Sequence, residues 1–413
     1  MDFDSFEFSR APLSKLIEDE HRFFSDRQIF FDGTVRACSP EQTLARVSPH
    51  AAQLGITRIA HVGGLDSLGI PVTICYRPNS RHLSSGQGKG FTQALADASA
   101  IMECIEGYHI EQPKSPSLRG RYLDLCERYR LADPRQLSPG YFTCRDLERY
   151  VFDWHTATNL IDWDTVYLPV CLAQLDFSRH VPEVNVLSLT SNGLASGNLL
   201  TEAICHGIME VVERHCLATF NRSSQRQKDN RRVDLASISS GAVIGAIERF
   251  HNANHDVVLW DMTSDLRIPS INCVVIDKDP QSPLGYHGGS GTHYQKDIAV
   301  MRALAEAAQS RAVWISGSRD DLFPERYSSQ AVRKAARTHL DSVESSSPPG
   351  QFDFGLTPSI PTPESFNATL VWLCDRLRQN GFGQVLVMNH TMPDLNIPVV
   401  QVVIPGMVVR HDR

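Results

Sequence analysis

The chain has 413 residues, with 47 acidic against 40 basic side chains, a formal net charge of −7, and 42% apolar and 21% charged residues. That balance excludes a disordered tail and a fibre, and it disfavours a nucleic-acid binder, whose phosphate contacts need a basic surface. It leaves open a phosphate ligand bound through a metal, because the metal would supply the positive charge.

The start, Met1-Asp2-Phe3-Asp4-Ser5-Phe6-Glu7, is acidic where a secretory signal would be basic, and no apolar run reaches the roughly 18–20 residues of a membrane span. A cytoplasmic protein with no membrane partner is expected. The ten cysteines are scattered without a C-x-x-C pair, and the 16 histidines show no H-E-x-x-H spacing, so no zinc site is expected. Residues 1–35 read as an N-terminal extension, a helix and a short extended piece, before a main domain over 36–413. Residues 39–54 suggest a helix with Ser39 as cap, Pro40 in the first turn and Gly55 at its end. Strands are predicted over 56–63 and 71–76, then a polar, Gly-rich loop over 80–90 that includes Arg81 and Lys89. A long helix follows over 92–108, a strand over 166–173 and a second long helix over 198–220. Residues 222–234 read as a basic, solvated connection. Strands over 257–261 and 270–276, a Gly-rich turn over 285–291 and a third helix over 299–316 come next. The Ser/Pro run 345–350 marks a flexible connection near 344–362, before a helix over 365–380 and strands over 384–388 and 399–404. Strands and helices are interspersed without the regular alternation of a doubly wound sheet, which predicts an α+β fold.

The three long helices echo one another. Gly90 precedes Glu103 and Glu106, Gly197 precedes Glu210 and Glu213 at the same offsets, and Gly291 precedes Glu306 and Gln309. A three-residue spacing puts both members of each pair on one helical face. At about 100° per residue, Asn198, Glu202, Glu210 and Glu213 share an arc of roughly 120°, opposite Ile204, Ile208, Val211 and Val212. Composition alone would allow an amphipathic helix whose acids face water, with Glu210 and Arg214 as an i,i+4 pair. The first helix argues otherwise, because Ala96, Ser99 and Ala100 beside Glu103 and Glu106 suit the close approach of another element. Acid pairs meeting across an interior repel unless cations lie between them, and oxygen-only ligand sets suit magnesium bridging to nucleotide phosphates. The expectation is a magnesium–nucleotide site lined by acids from several helices. Neither a P-loop nor a kinase motif set is present.

At this point the sequence resembles the YcaO family. The resemblance rests on Leu54-Gly55-Ile56-Thr57-Arg58, on Gly64-Leu65-Asp66-Ser67-Leu68-Gly69-Ile70-Pro71-Val72 and on Gly88-Lys89-Gly90 leading to Glu103 and Glu106. It continues through Ser191-Asn192-Gly193-Leu194-Ala195-Ser196-Gly197-Asn198, Glu210-Val211-Val212-Glu213-Arg214 and Gly289-Ser290-Gly291. It closes with Glu306-Ala307-Ala308-Gln309-Ser310-Arg311 and Ile397-Pro398-Val399-Val400. These occur in family order from about Arg36 to Met407. The resemblance implies a YcaO-type α+β fold with repeated glycine-and-helix units around an internal Mg–ATP site. It further implies ATP-dependent activation of a peptide backbone amide, by phosphorylation of its oxygen, in a ribosomally made precursor peptide. Attack by a neighbouring side chain gives an azoline, and by an external sulfide equivalent a thioamide.

Carried over residue by residue, the resemblance implies magnesium ligands at Glu103, Glu106, Glu210 and Glu213. It implies nucleotide contacts at Arg36, Thr43, Asn198, Glu202 and Gln309, a phosphate-side arginine at Arg214 and a phosphate or amide-oxygen ligand at Arg311. Ala195 stands where some members have a serine contact. His206, His215 and His293 are considered as bases, but each reads more readily as a structural or surface histidine, and none is named. The chain ends without the Pro-x-Pro-x-Pro tail common in azoline-forming members, and its motifs look most like members that work beside a TfuA-like protein. Thioamide formation with a sulfur donor is therefore expected, with azoline or macrocyclic amidine formation beside a separate partner as alternatives. A non-catalytic binding scaffold is disfavoured by retention of all four glutamates. A homodimer is the base-rate expectation for assembly.

Overall fold

The computed structural model describes residues 12–407 apart from 24, 138–146, 179–186, 188–189, 280–281, 283, 320–350 and 361. Helix α1 (Leu13–Phe23) leads into a hairpin of β1 (Ile29–Phe31) and β2 (Thr34–Arg36). Helix α2 (Pro40–Val47) starts where expected. The Ser39 hydroxyl accepts from the Gln42 N–H, and the Gln42 side chain accepts from the Ser39 N–H, a reciprocal cap. It ends earlier than the sequence pattern suggests. The chain turns into a 3₁₀ segment at Ser48–His50, whose Pro49 has no N–H to continue the ladder.

Strands β3 (Arg58–His61), β4 (Val72–Tyr76) and β5 (Ser85–Lys89) form an antiparallel sheet, followed by α3 (Gln93–Ile110). Strand β6 (Leu118–Arg121) and the short α4 (Tyr122–Leu125) precede β7 (Val151–Asn159), β8 (Thr165–Pro169) and β9 (Leu194–Ser196). Helix α5 (Leu200–Arg222) is the longest described helix, and the short α6 (Gln225–Asp229) and α7 (Gly241–Asn252) follow it. Strands β10 (His255–Asp261), β11 (Ser270–Asp277) and β12 (Tyr286–Thr292) form a second three-stranded antiparallel sheet, followed by α8 (Lys296–Ser316). Helix α9 (Phe366–Gln379), β13 (Leu386–Asn389) and β14 (Val399–Val403) complete the described chain. The last two strands join the largest sheet, in the order β6-β7-β13-β14-β9 with β8 beside β7. The α+β expectation holds.

The echo is structural, but its first half differs from the expected loops. Residues 85–89 and 286–292 are strands, the first largely buried and the second buried from Gly289 onward. Their glycines permit close helix approach. A Cβ on Gly88 would lie 2.0 Å from the Ala96 carbonyl oxygen of α3, and one on Gly291 2.1 Å from that of Ala299 in α8. Neither contact is sterically possible for a larger residue, so each helix lies almost in van der Waals contact with its strand. Elsewhere α6 occupies part of the expected 222–234 loop, and Arg232 pairs with Trp260 as an isolated bridge.

The N-terminal extension is built into the rest. Leu13, Leu16 and Ile17 of α1 share one apolar cluster with Leu200, Ile204 and Ile208 of α5 and with Leu373 of α9. The Ser/Pro run 345–350 lies outside the described residues. The neighbouring stretch expected to be flexible is anchored instead, with Phe352 bridged to Val233 and Phe354 buried in the core under α8. Among the described residues no helix is long and apolar enough to cross a membrane.

Candidate active site

Helices α3, α5 and α8 each lie on a different sheet, and their acid-bearing faces meet. On α3, Glu103 Oε2 accepts the Gln87 N–H of β5 at 2.9 Å. One turn on, Glu106 Oε1 accepts from Ser196 of β9, from its N–H at 2.8 Å and its hydroxyl at 2.7 Å. On α5, Glu213 Oε1 accepts the Ser290 hydroxyl of β12 at 2.9 Å, and the same hydroxyl lies 3.4 Å from Glu306 Oε1 of α8. Arg214 stands beside both acids, 3.6 Å from Glu213 and 3.9 Å from Glu306. Lys89, at the end of β5, bonds Glu306 at 3.2 Å and Gln309 at 2.8 Å. The Gln309 amide completes the link by donating to the Gln87 carbonyl at 2.7 Å.

At the start of α5 a second group forms. The Thr43 hydroxyl donates to Asn198 Oδ1 at 3.1 Å, and Arg46 holds the Asn198 carbonyl at 2.9 Å. Glu202 Oε2 accepts the N–H groups of Ala37 and Asn198, both at 3.2 Å, and Arg36 lies 3.7 Å from its other oxygen. A pocket beside them is lined by Arg36, Glu202, His206, His293 and Arg302.

Electrostatics mark the acids as a set under tension. Burial, with repulsion from Glu103 and Glu210, pushes Glu106 up to about 8 against the pull of its Ser196 bonds. Burial, with Glu213 and Glu306 nearby, pushes Glu210 up to about 7 although Arg214 opposes it. Glu103 and Glu202 are raised by burial too. Glu103 is exposed to solvent, although the surrounding protein is enough to raise it. Glu306 goes the other way, held below the usual carboxylate range against its burial by Lys89 and Arg214. Burial works against the charge of Arg214, but Glu213, Glu306 and Glu210 win and keep it protonated.

Magnesium and a nucleotide fit this donor set. Among the described residues no three acids, histidines or cysteines close into a complete cage. Magnesium is ordinarily held by one or two carboxylates plus waters and phosphate oxygens, which is what pairs on separate helices can offer. The unpartnered, buried Nδ1 of His206 in the pocket beside Glu202 is a further sign of a ligand site.

The expected residues Glu103, Glu106, Glu210, Glu213 and Arg214 are therefore brought together. Arg36 of β2, Thr43 of α2, Asn198 just before α5 and Glu202 in its first turn form their own cluster. Gln309 is present, but both ends of its amide are taken by protein. Arg311 departs from the group. Its Nε bonds both oxygens of Asp66, at 2.9 and 3.0 Å, and Nη2 bonds Asp277 at 3.3 Å, with Arg311 buried and the two aspartates partly so. This pairing, turned away from the glutamates, is that of a structural ion triad and gives no support to a ligand role. Ala195 is buried in the core, and the hydroxyl that serves Glu106 comes from the next residue, Ser196. Sequence reasoning named Lys89, Ser196 and Ser290 only within motifs, without a site role, and did not name Arg302. It noticed Glu306 only as an echo, although the matching Glu-x-x-Gln spacing on the third helix was the signal that could have found it. Of the histidines considered as bases, His206 and His293 line the pocket, and burial pushes both well below the usual range. His215 packs edge-on against Phe382.

The class that fold and site define, an α+β protein with a magnesium–nucleotide donor set, agrees with comparison to known proteins. The YcaO cyclodehydratase, ATP- and Mg2+-binding family model matches residues 87–408. A protein of Methanothermobacter thermautotrophicus is 33% identical, over 90% of this chain and 94% of its own length. A protein in the tfuA 3′ region of Rhizobium leguminosarum bv. trifolii is 31% identical, over 90% of this chain and 88% of its own. In fold the chain is similar to YcaO from Methanopyrus kandleri bound with AMPPCP and Mg2+, at a TM-score of 0.72 and 21% identity over 93% of this chain and 95% of that one. It is also similar to a heterocyclase in complex with substrate and cofactor, at a TM-score of 0.74 and 22% identity over 95% of this chain and 55% of that one. The chain belongs to the YcaO family of ATP- and Mg2+-dependent peptide-backbone-modifying enzymes.

Proposed function

We propose that this enzyme converts a backbone amide of a ribosomally made peptide into a thioamide. The observation that carries this choice is the 31% identity to the protein from the tfuA 3′ region, along 90% of the chain. A TfuA-like protein is the partner that this likeness suggests. Glu103, Glu106, Glu210 and Glu213 would hold the magnesium ions, with Glu306 beside them. Arg36, Thr43, Asn198, Glu202 and Arg302 would face the nucleotide. Bound ATP supplies the phosphoryl group that turns the amide oxygen into a leaving group. Phosphoryl transfer needs in-line placement and charge neutralisation more than covalent help. Arg214, kept protonated by three acids, is suited to supporting negative charge as it develops.

A second reading, azoline formation by attack of a neighbouring Cys, Ser or Thr side chain, is favoured by one observation. The family model that matches is that of a cyclodehydratase. Mass spectrometry of a peptide treated with the enzyme, Mg2+, ATP and a sulfide source separates the two. Oxygen-to-sulfur exchange adds about 16 mass units and dehydration removes about 18, by atomic-mass arithmetic on ATP-assisted substitution. Loss of water alone would rule out the thioamide reading.

A further inference from the structure

Helix α5 carries Glu202, Glu210, Glu213 and Arg214 of the proposed site, and its own sequence cannot finish its start. The residue in the cap position is Leu199, with no side-chain acceptor, while Leu200 and Thr201 are fully buried. Buried first-turn N–H groups need partners. Glu20 of α1 provides them from far away in sequence. The Leu200 N–H donates to Glu20 Oε1 in a very short contact, and the Thr201 N–H and hydroxyl donate to Oε2 at 3.1 and 3.0 Å. Glu20 is only 1% exposed. Leu13, Leu16 and Ile17 fasten its helix to the same core as α5.

The consequence reaches the site. Glu202 takes the N–H groups of Ala37 and Asn198, so with Glu20 the protein's own carboxylates occupy four donors around this helix start. Those donors are not free to cradle a phosphate, as the start of a P-loop helix would be. The nucleotide is left to side chains and metal, so the placement of Asn198 and Glu202 becomes critical. We infer that Glu20 is a positioning residue for the nucleotide site, a carboxylate supplied by the N-terminal helix that sets the first turn of α5 so that Asn198 meets Thr43 and Glu202 meets Arg36. The inference rests on the magnesium–nucleotide reading of the site. The matched family model begins at residue 87 and assigns nothing to α1. Burial, together with Glu202, pushes Glu20 up to about 7 even though the three donors pull it down. An acid is thus kept here at a cost that a local serine or aspartate cap would not carry.

The test is calorimetric titration of Mg2+–AMPPCP into wild type, Glu20→Gln and Glu20→Asp, well below their melting temperatures so that every molecule is folded. Glu20→Gln keeps size but turns an NH2 toward one of the buried donors. It is expected to weaken binding about tenfold, the loss of roughly one charged hydrogen bond. Glu20→Asp, which keeps the carboxylate but draws it back by one methylene, is expected to bind between the two, about threefold more weakly than wild type. If Glu20→Gln melts lower yet binds as tightly as wild type, Glu20 is merely a structural cap and the inference is overturned. Should Glu20→Gln not fold, Glu20→Asp decides: affinity measurably below wild type supports positioning, and unchanged affinity refutes it. Failure of wild type itself to bind Mg2+–AMPPCP would instead sink the site reading, and the inference with it.

Discussion

Individual carboxylates in this protein sit in surroundings that oppose their charge, and that makes the site pH-sensitive. Glu106 and Glu210 titrate near 8 and 7 in the fold because of burial and mutual repulsion, against 4.5 when free. Their folded pKa values are raised, so the stability they contribute is present below about pH 4.5 and is lost as pH rises through 7 to 8. The nucleotide-free protein is expected to melt several degrees lower at pH 8.5 than at pH 6. Mg2+ with ATP should raise the melting temperature more at the higher pH, where the ligands are ionised. A melting temperature that rises with pH in the nucleotide-free protein would contradict the arrangement. Arg311 gives the opposite kind of residue-scale prediction. Burial works against the charge of Asp277, but Ser282, the Asp279 N–H, His255 and Arg311 hold it below the usual range. Removing the cation in Arg311→Met strands Asp66 and Asp277, which should cost about 3–5 kcal/mol in urea unfolding. The acids of the site were legible in the sequence because Glu-x-x-Glu is a local pattern. The fate of Arg311 was not, because its partners Asp66 and Asp277 come from a turn and a strand end far along the chain.

Elements are set by how closely a helix can lie on a strand. Gly88 beneath Ala96 and Gly291 beneath Ala299 make α3 and α8 almost touch their sheets, which brings Lys89 of one unit to Glu306 and Gln309 of the other. Replacing either glycine by alanine drives a Cβ into a backbone oxygen. Gly88→Ala and Gly291→Ala are each expected to cost about 3 kcal/mol or more, the upper end of overpacking effects. Chemical denaturation would measure it, and a loss below about 1 kcal/mol, within the range of tolerated core swaps, would show that the helices can simply back away. The long helices were readable from periodicity and caps such as Thr92, which accepts from the Leu95 N–H. Strands β5 and β12 were not, since Ser85-Gly86-Gln87-Gly88-Lys89 has turn composition and no apolar alternation. Their strand character comes from pairing with β4 and β11 and from the helices they support. Strand β7 escaped for a different reason, because its alternating burial is masked by Asp153, His155 and three threonine or asparagine residues.

Across the whole molecule, three sheets hold three helices so that acids from each converge, with α1 joined to the same core. The excess of acid over base in the composition is thereby given a place. Part of it is gathered where cations and a nucleotide would neutralise it, rather than spread over a solvated surface. The YcaO family follows from the chain as a whole. The choice between thioamide and azoline does not, because both products would come from the same activated amide and differ only in the nucleophile. The most direct measurement of the central claim is calorimetric titration of ATP into the wild-type protein and the Glu103→Ala/Glu213→Ala double variant, each with Mg2+ and with a chelator. Binding by wild type only when Mg2+ is present, weakened at least about a hundredfold in the folded double variant, is the predicted result, since about 2.7 kcal/mol of binding separates a hundredfold difference in Kd. Equal binding without Mg2+, or undiminished binding by the double variant, would contradict it.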